Sequence, residues 1–570
     1  MVGDWGRVDV RSGGRLTAGG MRLYSGSLEV VDAGSFLALS GASSPLWVGH
    51  GRNGFLNIQR GGVVEAASCG VGQCDTLIGG TTGAALNFGN SHFPSDIENG
   101  AKGDLIISGA GSRLSTGGTL RLARAYVGNP ADAIPAGVRG GTAVGVVQVS
   151  AGGTLVTGDA LVGIGPSGPG HSGAESAVGY ITIDGAGSSW TLRRNAMTGV
   201  QAALTLGAAG ESPSWQTTAT LGIFNGARVV LDGSSGGVAP GVFLGNGGAT
   251  SAGYLRVNGA GSHLAIRGES GFLNLGGSAG IAGGTGDLLV EYGGQVFGES
   301  ENGLAFVNVG RNGSQGWGIV TLLGTDANGM RSSLMLNGRG AAGSGGEGQS
   351  AFLNVGRGGA SGQVNVLEGA LLSISAPATT QPGATTSGAG FTLGRDAGST
   401  GTMVVSGWGS EVVVASEDRR PFVAVGLSGT GTLQIGNGGS VQVLAPNAAA
   451  AGANNLLYVG GGGNSFAQGT LQIHGAGSQL LQGPLNDNLL IAGGAGSTGT
   501  IDVRAGGRLV TTGLQLGDGP LGRGTLVVDG GSVLLRGQFS RGTTSGAGVS
   551  VGRGGGSGEL YLIQSVLEIN

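Results

Sequence analysis

Glycosidic cleavage takes two carboxyl groups about 5–10 Å apart. Equivalent positions on neighbouring stacked strands lie about 4.8 Å apart. Asp9 and Glu29 are the acids such stacking would bring side by side. Cys69 and Cys74 share one glycine-rich loop (residues 68–74). A local disulfide between them would suit an oxidising compartment, and free thiols are the alternative. A two-thiolate metal site needs further ligands, and no Cys or His lies close in sequence. The histidines (His50, His92, His171, His263, His474) form no HxH or HExxH spacing. Asp96 and Glu98 are an oxygen pair that could serve a structural calcium ion; otherwise no cofactor is indicated. The run Gly283-Gly284-Thr285-Gly286-Asp287 puts its acid one place early for a tandem calcium-binding nonapeptide and does not recur.

Glycine-rich chains also generate false signatures. The G-x-S-x-G matches at 233–237 and 276–280 are not followed by a helix. The G-x-G-x-x-G at 494–499 leads into a strand, so no helix N-terminus waits for a phosphate. Lys102, the one lysine, follows Ala101 rather than Gly, which excludes a P-loop. The net charge of -4, with charged residues at 11%, leaves no basic footprint for nucleic acid. No apolar run approaches the roughly 20 residues of a membrane-spanning helix, and no signal-peptide pattern opens the chain.

What positions these residues is a repeat. The phrase at 103–114, GDLIISGAGSRL, returns at 179–190, 253–264 and 469–480, with looser copies between. About 17 copies at a mean period of roughly 34 residues mark a solenoid. Within a copy, Gly253-Tyr254-Leu255-Arg256-Val257 alternates with period two, the pattern of a half-buried strand. A second alternating piece follows (262–266), then a third ending in Gly, as in Phe272-Leu273-Asn274-Leu275-Gly276 or Phe352-Leu353-Asn354-Val355-Gly356. The 131 glycines fall between strands, at corners needing positive φ or close backbone approach. The predicted fold is all-β: a single elongated right-handed parallel β-helix (β-solenoid) of about 17 coils, three short strands each, running through residues 1–570.

The outward central position of the first strand reads Asp9, Glu29, Asn57, Ile106, Gln148, Thr182, Arg256, Leu289, Asn365, Val404, Gln434, Gln472, Asp502, Val527. Mid-chain this is a solvated row of amides, hydroxyls and aliphatics, unlike a catalytic groove. Longer loops at 80–102, 129–144, 165–178, 207–218, 324–350 and 443–456 are expected to protrude and carry recognition. They place His92, Phe93, Asp96, Glu98 and Trp215 towards a ligand, whereas Trp190 and Trp408, beside GAGS-type turns, are expected to cover a corner. Trp47 and Trp317 are further aromatic faces for a sugar, and Glu417-Asp418-Arg419-Arg420 reads as a solvated bend.

The GxLxVxGAGSxL phrase with xLxVG pieces, clearest at 401–410 and 431–441, resembles the β-strand repeats of bacterial autotransporter passengers. The resemblance implies a secreted parallel β-helix of adhesin, biofilm or fibre type at the cell surface. A glycan-active lyase or hydrolase on the same scaffold is the alternative. Surface glycans and other matrix components are the partners it implies. Neither terminus carries a clear cap, which suggests self-association end to end or a piece of a longer protein.

Overall fold

The computed structural model describes residues 6–23, 25–40, 46–50, 53–66, 76–80, 102–124, 142–165, 176–193, 202–208, 216–234, 239–278, 283–300, 303–339, 350–377, 388–417, 421–445, 455–462, 466–483, 488–537 and 547–570. Every regular element among them is a strand, and the strands fall into three parallel ladders. Seventeen strands belong to the first ladder and sixteen to the third. The chain is therefore the predicted parallel β-helix with three strands per coil. Its residues divide into two compact units, 1–267 with 276–287, and 268–275 with 288–570.

Period-two alternation explains the core of each. In the second unit Thr430–Gly436 buries Leu433 and Ile435 and turns Gln434 outward. Register then carries like residues over like. Met403, Leu433, Leu471, Ile501 and Leu526 pair in succession as one buried row. In the first unit the row runs Leu28, Leu56, Leu105, Val147, Ile181, Leu221, Leu255. Each such side chain contributes about 1.5–3 kcal/mol by leaving water.

The corner between the first and second strands explains the GAGS phrase. As far as the coil of Ser478 corners alternate between two forms; beyond it the Gly506 amide goes instead to the Gly530 carbonyl at 2.7 Å. The short form places two consecutive residues in the left-handed region, as in Arg60 (φ 51) and Gly61 (φ 88), the geometry of a type I′ turn. The long form has one residue more, except at 324–332 where it is a longer turn, and ends in a buried serine. That serine's Oγ accepts the N–H of the short-corner glycine one coil earlier. In the first unit the pairs are Gly13–Ser35, Gly61–Ser112, Gly152–Ser188 and Gly226–Ser262, at 2.9–3.1 Å. In the second they are Gly293–Ser332, Gly369–Ser410 and Gly438–Ser478, over the same range. The hydroxyl donates in turn to a carbonyl of its own coil, as Ser112 does to Ser108 at 2.7 Å. A buried amide without a partner costs about 1–3 kcal/mol. Ser262→Ala is therefore expected to speed exchange of the Gly226 amide about tenfold or more, read by hydrogen–deuterium exchange, with distant coils unchanged.

A second contact explains the paired glycines that close the third strand and open the next first strand. Gly460 (φ 72) ends Asn455–Val459, and a Cβ there would lie 1.9 Å from the Thr498 carbonyl oxygen. A Cβ on Gly469 would lie 2.0 Å from the Gly460 nitrogen and 2.2 Å from the Val425 oxygen. Backbone crosses backbone there with no room for a side chain.

Candidate binding surfaces

The first ladder's outward face is the row read from sequence, now with its register. Asp9 pairs with Glu29, and the row continues through Asn57, Ile106, Gln148, Thr182, Gly222 and Arg256. In the second unit it runs Thr321, Asn365, Val404, Gln434, Gln472, Asp502, Val527, Tyr561. Gly222, Thr321 and Tyr561 join the predicted row, the first because its coil has no glycine at the usual opening position (Ala219 stands there). The two adjacent acids are held by cations: Arg7 reaches Asp9 at 3.0 Å and Glu29 at 3.1 Å, and Arg11 also bonds Glu29. Hydrogen bonding to Asp9 and the two negative charges raise the Arg7 pKa. The pair forms an ion network between strands rather than a free acid beside a free base.

Further along, His474 Nε2 lies 3.4 Å from Asp502, which also takes a bond from Arg504 at 2.6 Å. Five successive coils present threonine at one outward register: Thr402, Thr432, Thr470, Thr500 and Thr525. Such cross-strand pairs contribute about 0.2–1 kcal/mol each, so they support the sheet as well as lining it. Asp287, half-buried on strand Thr285–Glu291, has its pKa raised by desolvation.

Aromatic residues take four distinct places. Trp190 does not cover a corner: it is 0% exposed in the core, donating Nε1–H to Thr157 Oγ1 at 3.1 Å. Alternation in Ser189–Arg193 puts it on the inward face with Leu192, and its neighbours in register are Leu155 and Val229. Trp408 is the corner cover expected. It is 76% exposed, and its ring lies across Gly438 and Gly477, where a Cβ would come within 2.8 and 2.7 Å of it. One face of Trp47 is taken by the Arg22 guanidinium at 4.1 Å. Tyr180 and Tyr254 stand on the first ladder, 46% and 39% exposed, with Thr220 between them in register. Beside them the Phe224 ring folds over Gly222, and the Arg256 guanidinium lies 6.0 Å from its centre.

In the second unit the third ladder carries two side-chain stacks that alternation alone would turn outward. Phe272, Phe306 and Phe352 stack face to face at 5.3 and 5.0 Å between ring centres. Two residues on, Asn308 donates to Asn274 at 2.7 Å, Asn354 to Asn308 at 2.9 Å and Thr392 to Asn354 at 2.7 Å, all four buried. Arg311 reaches the same Asn274 oxygen at 3.1 Å. Burial and the nearby Arg395 charge lower the Arg311 pKa.

Of the residues assigned to protruding loops, His92, Phe93, Asp96, Glu98 and Trp215 lie outside the described residues, as do Cys69 and Cys74. The expected loop 324–350 is a loop only in part: its described residues are a pinned turn at 324–332 and then a second-ladder strand, Ser333–Gly338, which buries Leu334 and Leu336 by the same period-two alternation. Thr325 bridges Arg331, and the Asp326 carboxylate accepts the Asn328 and Met330 amides at 2.9 and 2.7 Å. Arg331 then donates to Gly369, Ala370 and Gly409 carbonyls and pairs with Glu411 at 2.9 Å. Among the described residues no cluster of three or more His, Cys, Asp or Glu could hold a metal ion. No helix among them is long and apolar enough to cross a membrane.

Three parallel ladders that pair coil on coil define a parallel β-solenoid. Over 118 residues, 20% of the chain, it is 30% identical to the adhesin BmaC autotransporter of Brucella suis biovar 1 (strain 1330), and the match covers 3% of that protein. The likeness to autotransporter adhesins expected from the repeats thus has a counterpart in a curated protein. A solved structure of the TibC-catalysed hyper-glycosylated TibA fragment overlaps 82% of this chain and 99% of its own, at 12% identity and a TM-score of 0.30, too loosely to argue from. No family model matches the chain.

Proposed function

We propose that the chain is a non-enzymatic structural β-solenoid of a bacterial surface or biofilm matrix, an adhesin-type passenger displayed outside the cell. The observation that carries this reading is the 30% identity to an autotransporter adhesin. The ion-paired Asp9 and Glu29, and a row beyond them in which, among the described residues, no two carboxylates stand on adjacent coils, support it against the glycan-cleaving alternative. In this reading the ladders supply stiffness through backbone bonds along the axis, and the outward faces supply contact. The test is to coat beads with the purified chain and measure adherence to epithelial cells and immobilised matrix proteins, beside assays for release of reducing or unsaturated sugar ends. Saturable adherence without sugar release is expected; sugar release without adherence overturns the reading.

Self-association end to end is the second part of the proposal. Its support is the parallel, coil-on-coil register of the ladders, in which a coil of a second copy can stack as the coils of one chain do. Sedimentation velocity over a hundredfold concentration range is expected to show growing species. A monomer throughout overturns this part.

A further inference from the structure

The third ladder shows what aromatic side chains do on adjacent coils: Phe272, Phe306 and Phe352 stack with centres 5.3 and 5.0 Å apart, leaving no gap. On the first ladder of the other unit the aromatic pair is two coils apart. Tyr180 pairs with Thr220 and Thr220 with Tyr254, so the tyrosines are separated by about 9.6 Å, two strand spacings. The ring that would complete a stack between them is missing, and a threonine stands in its place.

The floor of that gap is low. Thr220 carries a short side chain, and the next outward residue of its strand, Gly222, is buried under the Phe224 ring, which walls the gap on that side. Arg256 faces Phe224 and bounds the same side, while Asp184 is engaged by the Asn225 amide at 2.7 Å. Both tyrosines are substantially exposed. Tyrosine offers a rigid apolar face and a polar rim at low entropic cost.

We propose that this gap is a glycan site: a single pyranose ring of a hexose chain seats over Thr220 between Tyr180 and Tyr254, against the Phe224 ring that covers Gly222. A pyranose has the required character, with C–H faces for the tyrosines and a hydroxyl edge for Thr182, Thr220 and the phenols. A nucleobase fits the gap less well, because an acid flanks the site and the whole chain is acidic, so no row of cations awaits a phosphate backbone. The assignment rests on the adhesin-type reading and names the chemistry one face of the solenoid would recognise.

The experiment is isothermal titration of the full chain with cellohexaose, chitohexaose, laminarihexaose and mannohexaose, with a thymidine hexanucleotide alongside. At least one hexasaccharide is expected to bind, and Tyr180→Ala and Tyr254→Ala each to weaken it about tenfold or more. Thr220→Phe is the decisive variant. It fills the gap with a third ring in the arrangement the three phenylalanines already adopt, so melting is expected unchanged or raised while binding is lost. Binding unaltered by Thr220→Phe, binding of the hexanucleotide alone, or no hexasaccharide bound overturns the site. Cell adherence that persists while no hexasaccharide binds overturns the site and leaves the adhesin reading standing; loss of both overturns both.

Discussion

Replacing Gly469 with alanine is expected to cost about 4 kcal/mol, at the upper end for a single substitution. The added methyl would meet the Gly460 nitrogen at 2.0 Å and the Val425 oxygen at 2.2 Å. Both are backbone atoms fixed by ladder bonds, so no rotamer change relieves the contact; one coil must move against the next. The first unit provides the control. At the same register a Cβ on Gly179 would meet chiefly the Val162 side chain rather than fixed backbone, and the next coil already carries Ala219 there. Gly179→Ala is therefore expected to cost about 1 kcal/mol. Gly19→Ala, with nothing within 4 Å of the new methyl, is expected to stay within about 0.5 kcal/mol. Thermal melting by circular dichroism, with hydrogen exchange to localise the loss, checks the order.

Asn308→Ala is expected to cost about 3–4 kcal/mol, since stripping partners from two buried polar groups costs about 1–3 kcal/mol each. Asn308 is fully buried, gives a proton to Asn274 and takes one from Asn354. Truncation leaves the Asn354 amide without its acceptor, and Arg357, 3.4 Å from the same oxygen, loses that contact too. Asn308→Asp separates the two halves of the argument. It keeps an acceptor for Asn354 and Arg357 and gives up the proton that Asn274 receives, so a smaller loss is expected at neutral pH. Equal losses in the two variants would mean that the N–H given to Asn274, rather than side-chain volume or the acceptor, is what the site requires.

Much of this architecture was readable in advance because strand alternation and coil period are written in single residues. The row from Asp9 to Val527 needed a period-two count and a repeat length, and the observed register holds its residues from Asp9 to Arg256 and from Asn365 to Val527. Trp190 shows the limit. Its neighbours in sequence, Ser188 and Ser189, suggested a corner, while its face is decided by where the second strand begins, a matter of one residue. The stacks of Phe and Asn were legible as recurring letters in FLNLG and FLNVG, but not as buried ones. Alternation turns them away from the core, and only packing in three dimensions decides whether anything covers them. The corner serine was visible in every GAGS phrase. Its partner is a glycine one coil away, a distance in sequence at which no local rule operates.

The alternation of corners has a consequence for how such a gene can change length. The close copies of the phrase begin at residues 103, 179 and 253, at every second coil, because each long corner serves the short corner before it. Deleting one coil from within the alternating run would set two corners of the same kind against each other and take from a glycine amide its serine acceptor. Deleting two restores the pairing. The heritable module is therefore the coil pair, about 68 residues on average. In-frame duplication or unequal recombination is expected to leave alleles that differ by that step, with single-coil gains purged as misfolded products.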